Sequence, residues 1–459
     1  MNISVVGGGR MGLPLACMFG LKGGSVVVCD INPALVAAIN AGQCPYEEPG
    51  LPELIAQLHR QQRLRATVDT ALAARTADVV VIIVPAHLTP DRHIDLSVLK
   101  AASRAVGQGL RPGALVIYET TVTVGATRRE LVPLLEEESG LRPGTDFFVG
   151  YSPERVKANL VLERLETTPK VVGGFDRACR DRTADFYRHY LGAPVEDVGT
   201  LEAAEMTKLV GMLYRDVNIA LANELAAFCE VAGVDFERVR AAANQDGEAS
   251  LLLPGIGVGG HCTPVYPYFL TRESRRLGLT QRISEAAREI NDQQPGRQLD
   301  RVAAAWKTLD GQRVHILGFG FRPGVKVDTF SPAYALRDHL RLRGARMTIE
   351  DPFYTARELA AHGFTAGAVA GAPLVVLNTA HAEFARPDFR AWREGGVEAV
   401  LDGRNFWQQD AAEAAGLLYF GIGRHALTEP PMTPHRPLPS SSAWLADAPA
   451  AMVGKEAGD

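Results

Sequence analysis

Residues 2–12 read NISVVGGGRMG, a short apolar run closed by three glycines, with a fourth glycine at position 12. The run 2–6 predicts a buried strand, and the stretch Met11–Leu21 predicts a helix directly behind the glycines. Gly7, Gly9 and Gly12 therefore occupy the three positions of G-x-G-x-x-G between a strand and a helix. Gly7 permits a tight turn, Gly9 lets the backbone approach a pyrophosphate, and Gly12 lets the helix pack against the strand. Arg10 and Met11 lie where the first helical turn presents its unpaired N–H groups to an anion. A second strand over 25–29 (SVVVC) ends at Asp30. A carboxylate there suits a ribose 2′-hydroxyl and repels a 2′-phosphate, so the motif points to NAD as cofactor. The plain alternative is a glycine turn that holds no cofactor.

Further strands are expected at 78–84 (DVVVIIV, stopped by Pro85) and 114–118 (ALVIY). Strands separated by helical patterns predict a parallel, doubly wound sheet. The character changes at 200–232, which holds no proline and one internal glycine and predicts a single long helix ending at Gly233. Strand patterns restart at 312–317 (QRVHIL), ahead of a glycine-rich GFGFRPG, and continue at 345–349, 373–377 and 398–401. The expected fold is α/β: an N-terminal Rossmann domain over 1–199, a central helical domain over 200–305 and a Rossmann-like α/β domain over 306–425. Proline, serine and alanine dominate 426–459, which predicts a disordered tail.

With 46% hydrophobic and 22% charged residues and a net charge of −5, the chain has the balance of a soluble protein and no basic footprint for nucleic acid. It shows neither a signal peptide nor an apolar run of roughly 18 residues that would span a membrane. Six scattered cysteines without metal-ligand spacing predict reduced thiols, a cytoplasmic setting and no metal site.

Cys262 stands apart from the other five. It follows PGIGVGGH (254–261), where four glycines let something come close to the backbone. A buried cysteine is usually a small hydrophobe. In a polar glycine loop, a thiol can instead add to an aldehyde, and the thiohemiacetal can lose a hydride to become a thioester that water opens. His261 beside it can orient the loop; no proton transfer is assigned to it.

These stretches together resemble the UDP-glucose/GDP-mannose dehydrogenase family, in particular its UDP-N-acetylmannosamine branch. The resemblance covers residues 1 to about 425. It is carried by VVGGGRMGLP (5–14), YEEPGL (46–51), ETTVTVGAT (119–127), YSPERV (151–156), KVVGG (170–174), AEMTKLVGMLYRDVNIALANELA (204–226) and LPGIGVGGHC (253–262). It implies oxidation of a sugar CH₂OH to a carboxylate with two NAD⁺ in turn. It also implies a nucleotide-binding C-terminal domain and a homodimer built about the central helix. Cys262 falls at the family's nucleophile and Lys208 at its oxyanion-stabilising lysine. Glu154 falls at the carboxylate of water activation and proton transfer, and Thr121 at the threonine near the nicotinamide. The bland alternatives are a solvated helix lysine, a helix-terminal carboxylate and a turn threonine. Pro85 is expected along the cofactor. Arg155, Met212, Gly259, Tyr266, Phe321 and Arg322 are expected with Glu154 and Lys208 at the substrate.

The chain departs from the family pattern at four places. Met212 replaces an asparagine, Tyr266 an aspartate, and Glu248 an arginine that reaches a neighbouring subunit's site. In FRPGVKVDTFSP (321–332), Thr329 replaces an arginine and Val327 an aspartate, while Arg322 keeps the cation of a lysine. Met212 cannot donate to an alkoxide, and a reversed charge facing an anion repels it. Three readings stay open: an ordinary nucleotide-sugar 6-dehydrogenase, a same-scaffold dehydrogenase for another nucleoside or nucleotide conjugate that stops after one hydride, and a silent NAD-binding protein. A hydroxyacid dehydrogenase of the 6-phosphogluconate type is disfavoured by the strand restart after residue 311.

Overall fold

The computed structural model describes residues 1–46, 48–89, 92, 94–156 and 161–426. Glu47 of YEEPGL and residues 427–459 of the expected tail lie outside the described residues. The chain forms two compact units, one ending at Gly211 and one beginning at Met212.

The first unit is built on an eight-stranded sheet. Its strands are β1 Asn2–Val6, β2 Ser25–Cys29, β3 Leu64–Thr67, β4 Val79–Ile82, β5 Leu115–Tyr118, β6 Phe148–Tyr151, β7 Lys170–Gly174 and β8 Val195–Thr200. The spatial order is β8-β7-β6-β5-β4-β1-β2-β3. Central strands such as β4 (VVVI) are buried on both faces, so they read as unbroken apolar runs rather than alternating ones. Helix α1 (Gly12–Leu21) follows β1, as the glycine pattern predicted.

The sheet departs from the expected all-parallel form at one joint. β6 and β7 run antiparallel, with Gly150 opposite Gly174 and Tyr151 opposite Gly173. The joint depends on glycine, because an added Cβ at Gly150 would lie 2.1 Å from Thr183 Oγ1 and one at Gly174 would lie 2.2 Å from the Arg180 amide nitrogen. The helix Arg177–Tyr190 can therefore press onto these strands. An antiparallel return starts where the previous strand ends. The segment carrying Ser152–Val156 and the first residue of β7, Lys170, thus share the carboxyl end of the parallel strands.

The long helix α2 spans Leu201–Ala232, close to the expected 200–232. Its first turns belong to the first unit and the remainder to the second. The second unit also holds α3 (Tyr266–Arg276), α4 (Arg282–Ala305) and a wholly parallel five-stranded sheet. The strands are β9 Arg313–Leu317, β10 Arg346–Glu350, β11 Leu374–Leu377, β12 Ala399–Asp402 and β13 Leu418–Gly421, in the order β10-β9-β11-β12-β13. Ala222, Ala226 and Cys229 of α2, Leu299 and Val302 of α4, and Val314 and Ile316 of β9 are buried in one apolar core. No described helix is long and apolar enough to cross a membrane.

Glu230 ties this unit together. It is buried and accepts from Arg297 Nη1 (2.9 Å), Gln298 Nε2 (2.9 Å), Arg301 Nη1 (3.1 Å) and the Gly423 amide (2.9 Å). Arg301 in turn donates to the Gly421 carbonyl at 2.8 Å. Glu230→Ala strands two guanidinium groups, and breaking a buried pair costs about 3 kcal/mol or more. The expected result is a lowered denaturation midpoint in urea. An unchanged midpoint would show that Glu230 contributes no net stability.

Candidate functional site

At the carboxyl end of β1, the glycine turn has the form that close phosphate approach requires. Gly7 sits at φ 106°, and its amide donates to the Cys29 carbonyl at 2.8 Å. A Cβ on Gly12 would lie 1.9 Å from the Gly7 carbonyl oxygen, whereas one on Gly9 would meet nothing within 4 Å. Gly9 thus borders open space and Gly12 closes the helix onto the turn. Helix α1 begins without a side-chain cap at Met11, so its first N–H groups keep their donor capacity for an anion. Asp30 Oδ2 accepts from the Gly8 amide at 2.8 Å and Oδ1 from the Asn32 amide at 2.9 Å, which orients the carboxylate beside the turn.

Two contributors here were not singled out from sequence. Tyr46 donates from its hydroxyl to the Gly8 carbonyl at 3.1 Å, and the Arg10 guanidinium lies 5.6 Å from the centre of its ring. Ile31, next to Asp30, is 91% exposed. It is an apolar side chain bared beside the Asp30 carboxylate. Pro85 and Thr121 follow β4 and β5, which are neighbours in the sheet. Their loops are tied by the Thr120 hydroxyl, which donates to the Val84 carbonyl at 2.5 Å.

The first turns of α2 reach these loops at a spacing of three residues. Arg128 Nε donates to Glu202 at 2.6 Å, Glu205 accepts from the amides of Gly125 and Thr127, and Lys208 Nζ donates to the Glu154 carbonyl at 2.7 Å. Residues three apart share a helix face, so one face holds both the loop behind Thr121 and the segment of Glu154. Burial pushes the Glu205 carboxyl up to about 7, against the hydrogen bonds from Thr127 and Gly125.

Glu154 is held through three donors. Oε1 accepts from the amides of Arg155 and Val156, each at 2.6 Å, and Oε2 from Lys170 Nζ at 3.1 Å. Burial opposes its charge, but the Lys170 ammonium and the two amides outweigh burial and hold the carboxyl below its ordinary value. Arg155 turns its guanidinium to the Pro169 carbonyl. Lys170 and Glu119 had been quoted within motifs without a role. Their signal was available, since each is a charged residue abutting a fully buried strand.

The cysteine loop lies in the second unit. The peptide of Gly255 is gripped on both sides: its N–H donates to Asn223 Oδ1 at 3.0 Å, and its carbonyl accepts from Gln294 Nε2 at 3.1 Å. Asn223 donates to Asn291, which donates to Asp216, which also accepts from Arg288 Nη1 at 2.6 Å. Further along, the Ile256 amide donates to the Gly403 carbonyl at 2.9 Å. Phe321 covers Gly259 and Gly260, where added Cβ atoms would meet its side chain at 2.6 and 2.8 Å. Cys262 is half-buried, and its carbonyl accepts the Tyr266 amide at 2.9 Å at the start of α3. The Tyr266 ring packs edge-on against Phe269 at 5.2 Å.

The departures from pattern receive different treatment. The Thr329 carbonyl accepts from the Gly260 amide at 2.8 Å, and its hydroxyl lies 3.1 Å from His261 Nε2. Threonine and histidine thus brace the loop one residue before the thiol. Glu248 is exposed on the turn after residue 245, its amide on Asp246 Oδ1 at 2.9 Å. Met212 and Arg322 are half-buried.

Arg404 was missed. Its Nε donates to the Asn378 carbonyl at 2.7 Å, while a terminal nitrogen lies 3.0 Å from where a Gly255 Cβ would stand. Burial pushes this guanidinium down to about 10, against the pull of Asp402. The second glycine turn, by contrast, is filled by the protein itself. Asp351 Oδ2 accepts from the amides of Phe319 (2.7 Å) and Gly320 (3.0 Å) and lies 3.1 Å from His381 Nε2. The Ser331 side chain caps the following helix, Pro332–Leu342. A dinucleotide therefore fits the first glycine turn and not the second.

Gly12→Ala is expected to weaken NAD binding by at least about tenfold, or about 1.4 kcal/mol, in isothermal titration calorimetry. Unchanged affinity would remove the first glycine turn from cofactor binding.

Three family models match along the chain. The NAD binding domain of the UDP-glucose/GDP-mannose dehydrogenase family matches residues 1–191, its central domain 202–293 and its UDP binding domain 315–409. The chain is 31% identical to UDP-N-acetyl-D-mannosamine dehydrogenase of Pyrococcus horikoshii, across 92% of this chain and 99% of the relative. It is 32% identical to UDP-N-acetyl-D-glucosamine 6-dehydrogenase of Pseudomonas aeruginosa, across 84% and 91%. Among solved structures, the UDP-D-ManNAc dehydrogenase of Pyrococcus horikoshii superposes with a TM-score of 0.83 at 30% identity, covering 92% of this chain and 99% of that one. With its glycine turn built for a dinucleotide and all three domains matched, the chain belongs to the UDP-glucose/GDP-mannose dehydrogenase family of NAD-dependent nucleotide-sugar oxidoreductases.

Proposed function

We propose that the protein oxidises the primary alcohol of a nucleotide sugar to the carboxylate in two NAD-dependent steps through Cys262. The observation that carries this reading is the bracing of the cysteine loop: Gly255 is gripped on both sides, Gly260 is held by Thr329, and Cys262 stays half-buried at the head of α3. Bound NAD, held by Gly7, Gly9, Gly12 and Asp30, supplies the hydride acceptor.

In the first step the alcohol loses a proton and a hydride to become an aldehyde, with Lys208 stabilising the developing oxyanion. The Cys262 sulfur then adds to the aldehyde carbon. The thiohemiacetal loses a second hydride, and water opens the thioester to the acid and the free thiol. Thr121 lies along the nicotinamide. Glu154 already accepts three hydrogen bonds, so it orders Lys208 and water more readily than it takes up a proton. Phe321, Arg322 and Arg404 form the nucleotide-facing group of the second unit. In this reading residues 1–199 serve the cofactor, 200–305 the helical scaffold and 306–425 the nucleotide.

A second reading, one hydride transfer on another nucleotide conjugate, is favoured by Thr329. It carries no charge and is committed to His261. Purified protein with NAD⁺ and a panel of UDP-, GDP- and CDP-sugars separates the two. Two NADH per acid formed support the first, and one NADH with an aldehyde or ketone product supports the second. No turnover on any sugar would overturn the first; no turnover on a wider panel of nucleoside and nucleotide alcohols would overturn the second as well and leave a cofactor-binding protein. Cys262→Ser is expected to abolish acid formation; acid made at the normal rate would remove the thiol from the mechanism.

The assembly is a homodimer about α2. Tyr214, Leu221, Leu225, Phe228 and Val231 are exposed along this helix at spacings of three, four and seven residues, with Phe228 at 69%. An apolar stripe at such spacing is a face for another helix. Phe228→Glu is expected to give a monomer in sedimentation velocity, while a persistent dimer would place the interface elsewhere. All six cysteines are free, in keeping with a cytoplasmic setting.

A further inference from the structure

Behind Glu154 lies a buried group that the proposed chemistry does not use. Lys170 Nζ donates to Glu119 Oε2 at 2.7 Å and to Glu154 Oε2 at 3.1 Å. The Tyr187 hydroxyl donates to Glu119 Oε1 at 2.5 Å, and its ring centre lies 4.9 Å from the Lys170 ammonium. Glu119, Lys170 and Tyr187 are buried. One ammonium is therefore shared by two carboxylates, and the same Glu154 that receives it holds Lys208 by its carbonyl.

We propose that Lys170 is a positioning residue: a buried shared counter-ion that keeps Glu154 ionised, and so keeps the segment Glu154–Val156 folded onto Lys208. It acts only through Glu154. The ionised Oε1 accepts the amides of Arg155 and Val156, and that ring of hydrogen bonds aims the Glu154 carbonyl at Lys208. The role of Lys208 rests on the function proposed above; the counter-ion does not.

The buried charges are unequal in number, so one carboxylate must yield. Glu119 faces Lys170 from β7, Tyr187 from the helix Arg177–Tyr190, and Glu154 from the segment after β6. Among the described residues Glu119 accepts from the Lys170 and Tyr187 side chains, where Glu154 also accepts from two backbone amides. Burial raises the Glu119 carboxyl to about 7, against the pull of Lys170. Its protonated form is thus favoured in the folded chain. The stability this confers is complete below the unfolded value and is lost as pH rises through about 7. Protonation at Glu119 leaves Lys170 wholly to Glu154.

The test needs no substrate, so it can fail independently of the proposed reaction. Infrared difference titration of the whole protein reads protonated carboxyl groups directly. A protonated-carboxyl band should grow as pH falls through about 7; Glu205 contributes to it too, so Glu119 is read as the component that Glu119→Gln, a nearly isosteric variant, removes. In Lys170→Met the Glu119 component should persist to higher pH, because the ammonium that opposes its protonation is gone. Hydrogen exchange at the amides of Arg155 and Val156 should be at least about tenfold faster in Lys170→Met and near normal in Lys170→Arg. A merely space-filling lysine would leave the titration unmoved. The proposal is overturned if Glu119→Gln removes no component of the band, or if Lys170→Met alters neither the band nor the exchange. Should Lys170→Met fail to fold, the Glu119→Gln titration decides alone. If the panel yields a substrate, Lys170→Met should lower kcat while leaving the KM for NAD near normal.

Discussion

A single ammonium buried between two carboxylates organises the carboxyl end of the first sheet. Lys170 can serve both Glu119 and Glu154 only because β7 returns antiparallel to β6. A parallel continuation would have carried residue 170 to the opposite end of the sheet. The glycine pair Gly150–Gly174 makes that return possible by letting a helix lie against the strands. Backbone geometry thus sets the electrostatics: the strand reversal delivers the cation, the cation keeps Glu154 charged, and Glu154 orients Lys208.

The cysteine loop is organised differently, by amide and carbonyl groups rather than by charge. Asn223 and Gln294 grip both sides of one peptide, and the Asn291–Asp216–Arg288 chain behind them is buried. A loop with this many glycines would otherwise sample many conformations, at a cost of about 1–2 kcal/mol for each residue ordered. Thr329 belongs to this bracing. Where the family pattern places an arginine, the threonine turns to His261 and the loop backbone. In place of that cation stands a contact that stiffens the loop.

The two glycine turns show how little a motif says by itself. Both follow the first strand of a parallel arrangement, and in both an aspartate after the neighbouring strand accepts from the turn, Asp30 in one and Asp351 in the other. In the first, Asp30 takes one amide of the turn and the helix start is uncapped. In the second, one aspartate oxygen takes two amides, a histidine closes over it, and a serine caps the helix. The same local pattern is open to a ligand in one case and closed in the other.

The sequence alone determined the elements and the cofactor turn. Strands over 2–6 and 25–29, a long helix over 200–232, and the turn at Gly7 with close packing at Gly12 follow from apolar period and glycine spacing, which are local properties. Cys262 draws attention in the sequence because its glycine loop sets it apart from the other five cysteines. What only the tertiary structure decided are the pairings between distant residues: Lys170 with Glu119 and Glu154, Asn223 with Gly255, Thr329 with His261, Arg404 beside the cysteine loop. Lys170 reads as an ordinary charged residue at a strand start, and Arg404 as one more surface arginine. Their meaning arises from burial, which raises the worth of each charge and hydrogen bond, and burial is set by what the fold places around them rather than by their neighbours in the chain.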